Sequence, residues 1–155
     1  QPRSIEPGYS SRSTTTRTAW SRPASDTSSP ISVIHRSGAL EKDVIAGGEK
    51  IFNVYCATCH QKDGKGASGR FPSLVGTDWV TGDKNRLIGV LLNGLEGNIT
   101  VNGESYINAM PQHSFLSNDE VANVLTYIRQ NFGNKASEIK AGEVKAIRGA
   151  QPVKK

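Results

Sequence analysis

The 155-residue sequence predicts an all-α domain, a few helices with one short hairpin. Two stretches carry apolar residues at helical spacing, residues 44–55 and 121–132, and the clearest strand signal is a single Asn-Gly turn at 102–103. Hydrophobic residues make up 35% and glycines number 16, enough for one small core with chain left over. The longest aliphatic run, Leu87 to Leu92, is broken by Gly89 and falls far short of the ~20 residues that cross a bilayer.

Residues 1–30 hold 8 Ser, 5 Thr, 4 Pro and 4 Arg with few aliphatic side chains, too little apolar surface to offset the entropy of ordering. Residues 1–40 are therefore expected to be an extension, a linker or partner-binding tail. Trp20 is isolated in this segment, either incidental or an anchor that docks on a partner, and His35 reads as a solvated linker histidine. The chain opens on Gln1 with no apolar stretch before it, as expected where a leader or anchor has been cut away.

A single compact domain is expected over 41–134, and each of its elements has a local cause. Val44, Gly48, Ile51, Phe52 and Tyr55 form one face of a helix from about residue 41. Gly64, Gly66 and Gly69, followed by Phe71-Pro72, give a loop shaped to wrap around something. Asp83 caps a helix with the stripe Leu87, Val90, Leu91 and the terminator Gly94. Ile99 to Ile107 folds as a hairpin on Asn102-Gly103. Ser117 to Glu120 is a capping box that opens a helix with Val121, Val124, Leu125, Ile128 and Phe132 on one face and Gly133 at its end. The basic tail, 135–155, has room for one further short turn of helix.

The formal charge of +5 is divided between +3 in residues 1–40, from five Arg and two acids, and +2 in the remainder. A body so near balance lacks the electrostatic footprint of a nucleic-acid reader. Lys62, Lys65 and Arg70 are the local exception, a candidate basic rim around the glycine loop for an acidic partner, or simply solvated charges.

The chemistry concentrates in Cys56-Ala57-Thr58-Cys59-His60, which holds both cysteines of the chain. The spacing is that of a c-type haem attachment site: on one helical turn, positions 56, 59 and 60 share a face, so two thiols meet the vinyl groups of one porphyrin edge while the imidazole reaches its iron. A zinc site lacks a second cysteine pair, a thioredoxin-like dithiol lacks its βαβ surroundings, and a disulfide across two residues would staple almost nothing. Iron held by His60 takes a sixth ligand or keeps an open position. Met110, the only methionine, lies in an irregular stretch as Met110-Pro111 and is the candidate thioether; a core-filling role is its bland alternative. His113 is the rival imidazole and reads as exposed.

Over roughly residues 41 to 133 the sequence resembles the class I cytochromes c, through Gly48-x-x-x-Phe52 ahead of Cys56-x-x-Cys59-His60, Met110-Pro111 and Leu125-x-Tyr127. The resemblance implies helices wrapped around one covalent haem c, with His60 and Met110 as axial ligands. It implies a first and last helix crossing at Gly48 beside Phe52 and Tyr127, and a Pro72 carbonyl that accepts the other imidazole N–H. It also implies a haem pocket of Pro72, Leu74, Trp79 and Tyr127, with Leu74 packed on the haem and Trp79 either giving its indole N–H to a propionate or simply buried. Asn102-Gly103, Tyr106 and Phe132-Gly133-Asn134 are similar to cytochrome domains that serve copper nitrite reductases, quinoprotein dehydrogenases or terminal oxidases.

The expected function is electron transport: one electron shuttled between a donor and a redox enzyme or oxidase of a respiratory chain, in a bacterial periplasm or another extracytoplasmic space, without catalysis by the chain itself. Two alternatives stand beside it. One is a haem enzyme or gas-binding protein in which Met110 leaves the iron; the other is a subunit whose extension wraps a partner while the haem domain is carried along.

Overall fold

The computed structural model describes residues 30–149. Six α-helices and a two-stranded hairpin form a single helical body: α1 Pro30–Ile51, α2 Ala57–His60, α3 Asp78–Thr81, α4 Lys84–Asn93, β1 Ile99–Val101, β2 Glu104–Tyr106, α5 Asn118–Gln130 and α6 Ala141–Arg148. The described residues are thus mostly helical with one short hairpin, the architecture expected from the sequence.

The helix α1 starts at Pro30, well before the point at which the apolar spacing becomes helical. Proline suits this place, because its fixed φ fits a first turn and its missing N–H is not needed there. His35 thus lies within a helix, while Trp20 lies outside the described residues.

Between α1 and α2 the chain does not break but widens, Phe52–Cys56 forming one π-helical turn. The extra residue in that turn shifts the helical phase. Phe52 and Cys56 both face inward, at 0% and 8% exposure, whereas Tyr55, expected on the apolar stripe, is 46% exposed.

The long helices α1 and α5 cross at Gly48. A Cβ there would lie 2.2 Å from the Asn123 carbonyl oxygen and 2.7 Å from the Tyr127 Cβ, so only glycine allows this approach. Phe52, Tyr127 and Phe132 fill the space beside the crossing with ring centroids 5.2 to 5.7 Å apart.

Both central helices are capped as their sequences require. Asp83 accepts from the Asn85 N–H at 2.8 Å and Gly94 closes α4. Ser117 and Glu120 form the reciprocal capping box of α5. Phe132 is not part of that helix, contrary to its place on the periodic stripe: α5 ends at Gln130, and Phe132 takes φ 57°. Its ring folds back over Gly64, where a Cβ would come within 2.7 Å of it.

The hairpin pairs Ile99 with Tyr106 and Val101 with Glu104 around Asn102 (φ 51°) and Gly103 (φ 82°), the two positive φ angles of a type I′ turn. The tail after α5 crosses back, and its helix α6 buries Val144 completely.

Candidate functional site

An apolar cavity occupies the centre of the helical body, and its walls come from every part of the fold between residues 56 and 128. Cys56, Cys59 and His60 form one side. Pro72 and Leu74 come from the glycine loop, Val80 from α3, Leu87, Val90 and Leu91 from α4, Ile99 and Val101 from β1, Met110 from the stretch after the hairpin, and Leu125 and Ile128 from α5. A lining this aliphatic excludes water and suits a large flat apolar group with a few fixed polar contacts.

The glycine loop is folded so that Pro72 lies against His60. The Gly66 N–H donates to the His60 carbonyl at 2.9 Å, Leu74 N–H to Gly64 at 2.7 Å, and Ala67 and Phe71 exchange two bonds at 2.8 Å. Gly66 has φ +68°, and a Cβ there would strike the Phe71 carbonyl oxygen at 2.3 Å. The wrap ends with the His60 Nδ1–H donating to the Pro72 carbonyl at 2.9 Å. This bond fixes the imidazole tautomer and leaves Nε2 as the nitrogen with a lone pair to offer. Burial holds the His60 pKa below its ordinary value; the Pro72 hydrogen bond opposes this and the nearby His113 adds to it. The ring is neutral at pH 7, as a ligand must be.

Cys56 and Cys59 stand on the same wall as His60 and are not joined to each other. Burial, and secondarily the charge of Cys59, push the Cys56 thiol up to about 11, so it is fully protonated at neutral pH and a weak nucleophile. Among the described residues no cluster of three or more His, Cys, Asp and Glu side chains converges as a zinc site would need.

Met110 reaches the cavity from a fixed backbone. Its N–H and C=O exchange hydrogen bonds with Leu95 at 2.8 and 3.0 Å, and a Cβ on Gly94 would meet the Met110 carbonyl at 2.6 Å. His113 corrects its expected exposure: it is 8% exposed. Its N–H donates to the Leu91 carbonyl at 2.9 Å, which draws the segment inward, and its ring packs beside Tyr55 and Phe115. It is not part of the cavity wall, and its buried Nδ1 has no partner.

Trp79 lines the cavity, but its indole N–H donates to the Thr100 carbonyl at 3.0 Å and its face carries the Arg86 guanidinium at 4.6 Å. The indole is thus committed to the hairpin rather than free for a propionate. Tyr127 stands at the helix crossing, as the resemblance implies, but is not among the residues that line the cavity. Leu125 and Ile128 supply the cavity wall of α5. Those two, with Leu87 and Val90, were legible only as helix stripes, and Val80 gave no signal of its own. A stripe says which face is buried, not whether it meets protein or a cofactor.

The cavity, the paired thiols beside one imidazole, and the single thioether on the same lining together fit a covalently bound haem. The comparisons with known proteins agree. The family model described as Cytochrome c matches residues 45–132. Cytochrome c-552 of Thermus thermophilus is 39% identical over 113 residues, 66% of this chain and 85% of that protein. The fructose dehydrogenase cytochrome subunit of Gluconobacter japonicus is 36% identical over 107 residues, 65% of this chain and 22% of that subunit. The Cbb3-type cytochrome c oxidase subunit FixPc of Rhizobium leguminosarum bv. viciae is 49% identical over 51 residues, 32% of this chain and 17% of that subunit. With the matched stretch running from the middle of α1 to the turn after α5 and enclosing the whole cavity, the chain belongs to the cytochrome c family and takes its covalent haem c.

Proposed function

We propose that this chain is a one-electron carrier whose single haem is bound through Cys56 and Cys59 and ligated by His60 and Met110. The observation that carries this reading is that His60, its tautomer fixed by Pro72, lines the same apolar cavity as the only thioether of the sequence. When bound, the haem supplies an iron that cycles between two oxidation states. The protein supplies a dry enclosure and two ligands on anchored backbone, so a change of iron charge requires little rearrangement. A soft thioether favours the reduced metal, and His/Met pairs raise the potential. With both axial positions filled, no place remains for a substrate on the iron, so the chain carries electrons rather than catalysing.

The partner in this reading is a redox protein, a dehydrogenase or a terminal oxidase, in the bacterial periplasm or another extracytoplasmic compartment. Relatives named as dehydrogenase and oxidase subunits support it. Among the described residues no helix is long and apolar enough to cross a membrane. Residues 1–40 serve in this scheme as the extension that keeps the haem domain, 41–134, near its partner, and 135–155 is the basic C-terminal segment.

The test is spectroscopic. Matured with a cytochrome assembly apparatus, the ferric protein is expected to show the weak long-wavelength thioether-to-iron charge-transfer band, and the ferrous protein to resist carbon monoxide. Met110→Ala is expected to lose the band and bind carbon monoxide readily, with the covalent haem retained. A native protein that lacks the band and takes up carbon monoxide would instead be a gas-binding or catalytic haem protein.

A further inference from the structure

The family match ends at residue 132, yet the chain continues as a packed element. Beyond α5 it crosses back over that helix. Ala136 N–H donates to the Arg129 carbonyl at 3.0 Å, and the Thr126 hydroxyl bonds both the N–H and the carbonyl of Ile139, at 2.9 and 3.2 Å. Helix α6 then lies against α4 and α5 with Val144 fully buried, and Glu143 pairs with Lys84 of α4 at 3.2 Å. The segment ends at the loop that carries Met110. There Arg148 donates from Nη1 to the Ser114 carbonyl at 2.7 Å, from Nη2 to the Leu116 carbonyl at 2.5 Å, and from Nε to the Asn118 side-chain oxygen at 2.8 Å.

Three anchors therefore hold the loop from Met110 to Asn118. The Leu95 pairing fixes its start and the His113 bond to Leu91 its middle. Its end is held by the capping box of α5 and, across the turn before it, by one guanidinium from an element outside the family domain. A planar fork of five donors reaches three oxygens spread along its edge in fixed directions, whereas the three donors of an ammonium converge on one atom at the end of a flexible stem.

We propose that residues 136–148 are a strap over the Met110 loop and that Arg148 is a positioning residue that keeps this loop closed over the haem, an inference that rests on the axial role proposed for Met110. An added ligand such as imidazole reaches the iron only from the open loop, so its apparent affinity scales with the open fraction. Loss of the Arg148 fork raises that fraction without touching any ligand or cavity residue.

The experiment uses the full-length ferric holoprotein, with imidazole as the probe. Arg148→Ala is expected to raise imidazole affinity about tenfold and to lower by about one unit the alkaline pH at which the thioether band is lost. Arg148→Lys is expected to behave like the alanine variant, and Lys145→Ala, on the same helix and away from the loop, like the native protein. Should Arg148→Ala fail to mature, Asn118→Ala removes one arm of the fork and is expected to raise the affinity about threefold. A thioether band in the native protein combined with native imidazole affinity in the Arg148 or Asn118 variant overturns the strap. Absence of the band from the native protein overturns the ligation beneath it, a separate result.

Discussion

Glu104 joins the hairpin to the haem-binding loop through three donors. It accepts from the Ser68 hydroxyl, from the Gly69 N–H at 2.7 Å and from the Tyr106 hydroxyl at 2.5 Å. Those bonds, from Ser68 first and Tyr106 next, hold the Glu104 carboxyl below its usual range. The same carboxylate, together with burial, pushes Tyr106 from 10.0 up to about 12. The unfolded phenol therefore loses its proton near pH 10 while the folded one keeps it toward pH 12. The folded state is the more protonated across that window, so the stabilisation is whole below pH 10 and fades as the pH rises to 12. Tyr106→Phe is expected to be less stable than the native protein at pH 7, with the difference closing between pH 10 and pH 12. Denaturant midpoints measured across that range check it; a constant difference would show that the phenol is not what titrates. Tyr106 was visible in the sequence only as part of a resemblance, because its partner carboxylate gains meaning from the loop it reaches. His113 was misread for the same kind of reason: its neighbours Pro111 and Gln112 suggested exposure, while its burial is decided by a carbonyl on α4.

At the level of elements, the helices with capping signals were readable to within a residue or two, since Asp83, Gly94 and the Ser117-Glu120 box act locally. The start of α1 and the π-helical turn at Phe52–Cys56 were not. A proline-led helix and an i to i+5 turn leave no apolar period to detect, and the turn is stabilised by the tertiary need to point Phe52 and Cys56 inward together. The cavity was legible at Cys56, Cys59, His60 and Met110, which announce themselves by type and spacing, but not at Leu125 and Ile128, whose aliphatic chains look the same against protein or porphyrin. The α1–α5 crossing supplies the sharpest test of the packing. Gly48→Ala places a methyl against backbone at Asn123, which cannot move aside as a flexible side chain would. The helices must part, at a cost of about 2 kcal/mol or more, toward the upper part of the range for overpacked cores. Thermal unfolding of the holoprotein should show it, whereas Gly142→Ala, with nothing within 4 Å of its Cβ, should not. Equal melting of the two variants would mean that the crossing is looser than its geometry.

For the whole molecule the question is whether a body with a formal charge of only +2, nearly cancelled by two haem propionates, can steer its encounter with a redox partner. Any steering must come from local charge, and the loop after the haem motif is where it gathers: Lys62, Lys65 and Arg70 are exposed, with Asp63 among them. Asp63 pairs with Lys65 at 3.4 Å with both side chains more than half exposed, so the pair adds little to stability and mainly subtracts one positive charge from the patch. Arg70 also lines the cavity, which places the patch beside it. If encounter depends on this patch, its net charge sets the slope of rate against ionic strength. Lys62→Gln and Lys65→Gln are each expected to flatten that slope, and Asp63→Asn to steepen it, with the spectrum unchanged in all three. Stopped-flow electron transfer with the physiological partner at several salt concentrations decides the matter. The opposite signs separate steering from mere loss of loop structure, because damage to the loop would slow all three variants in the same direction.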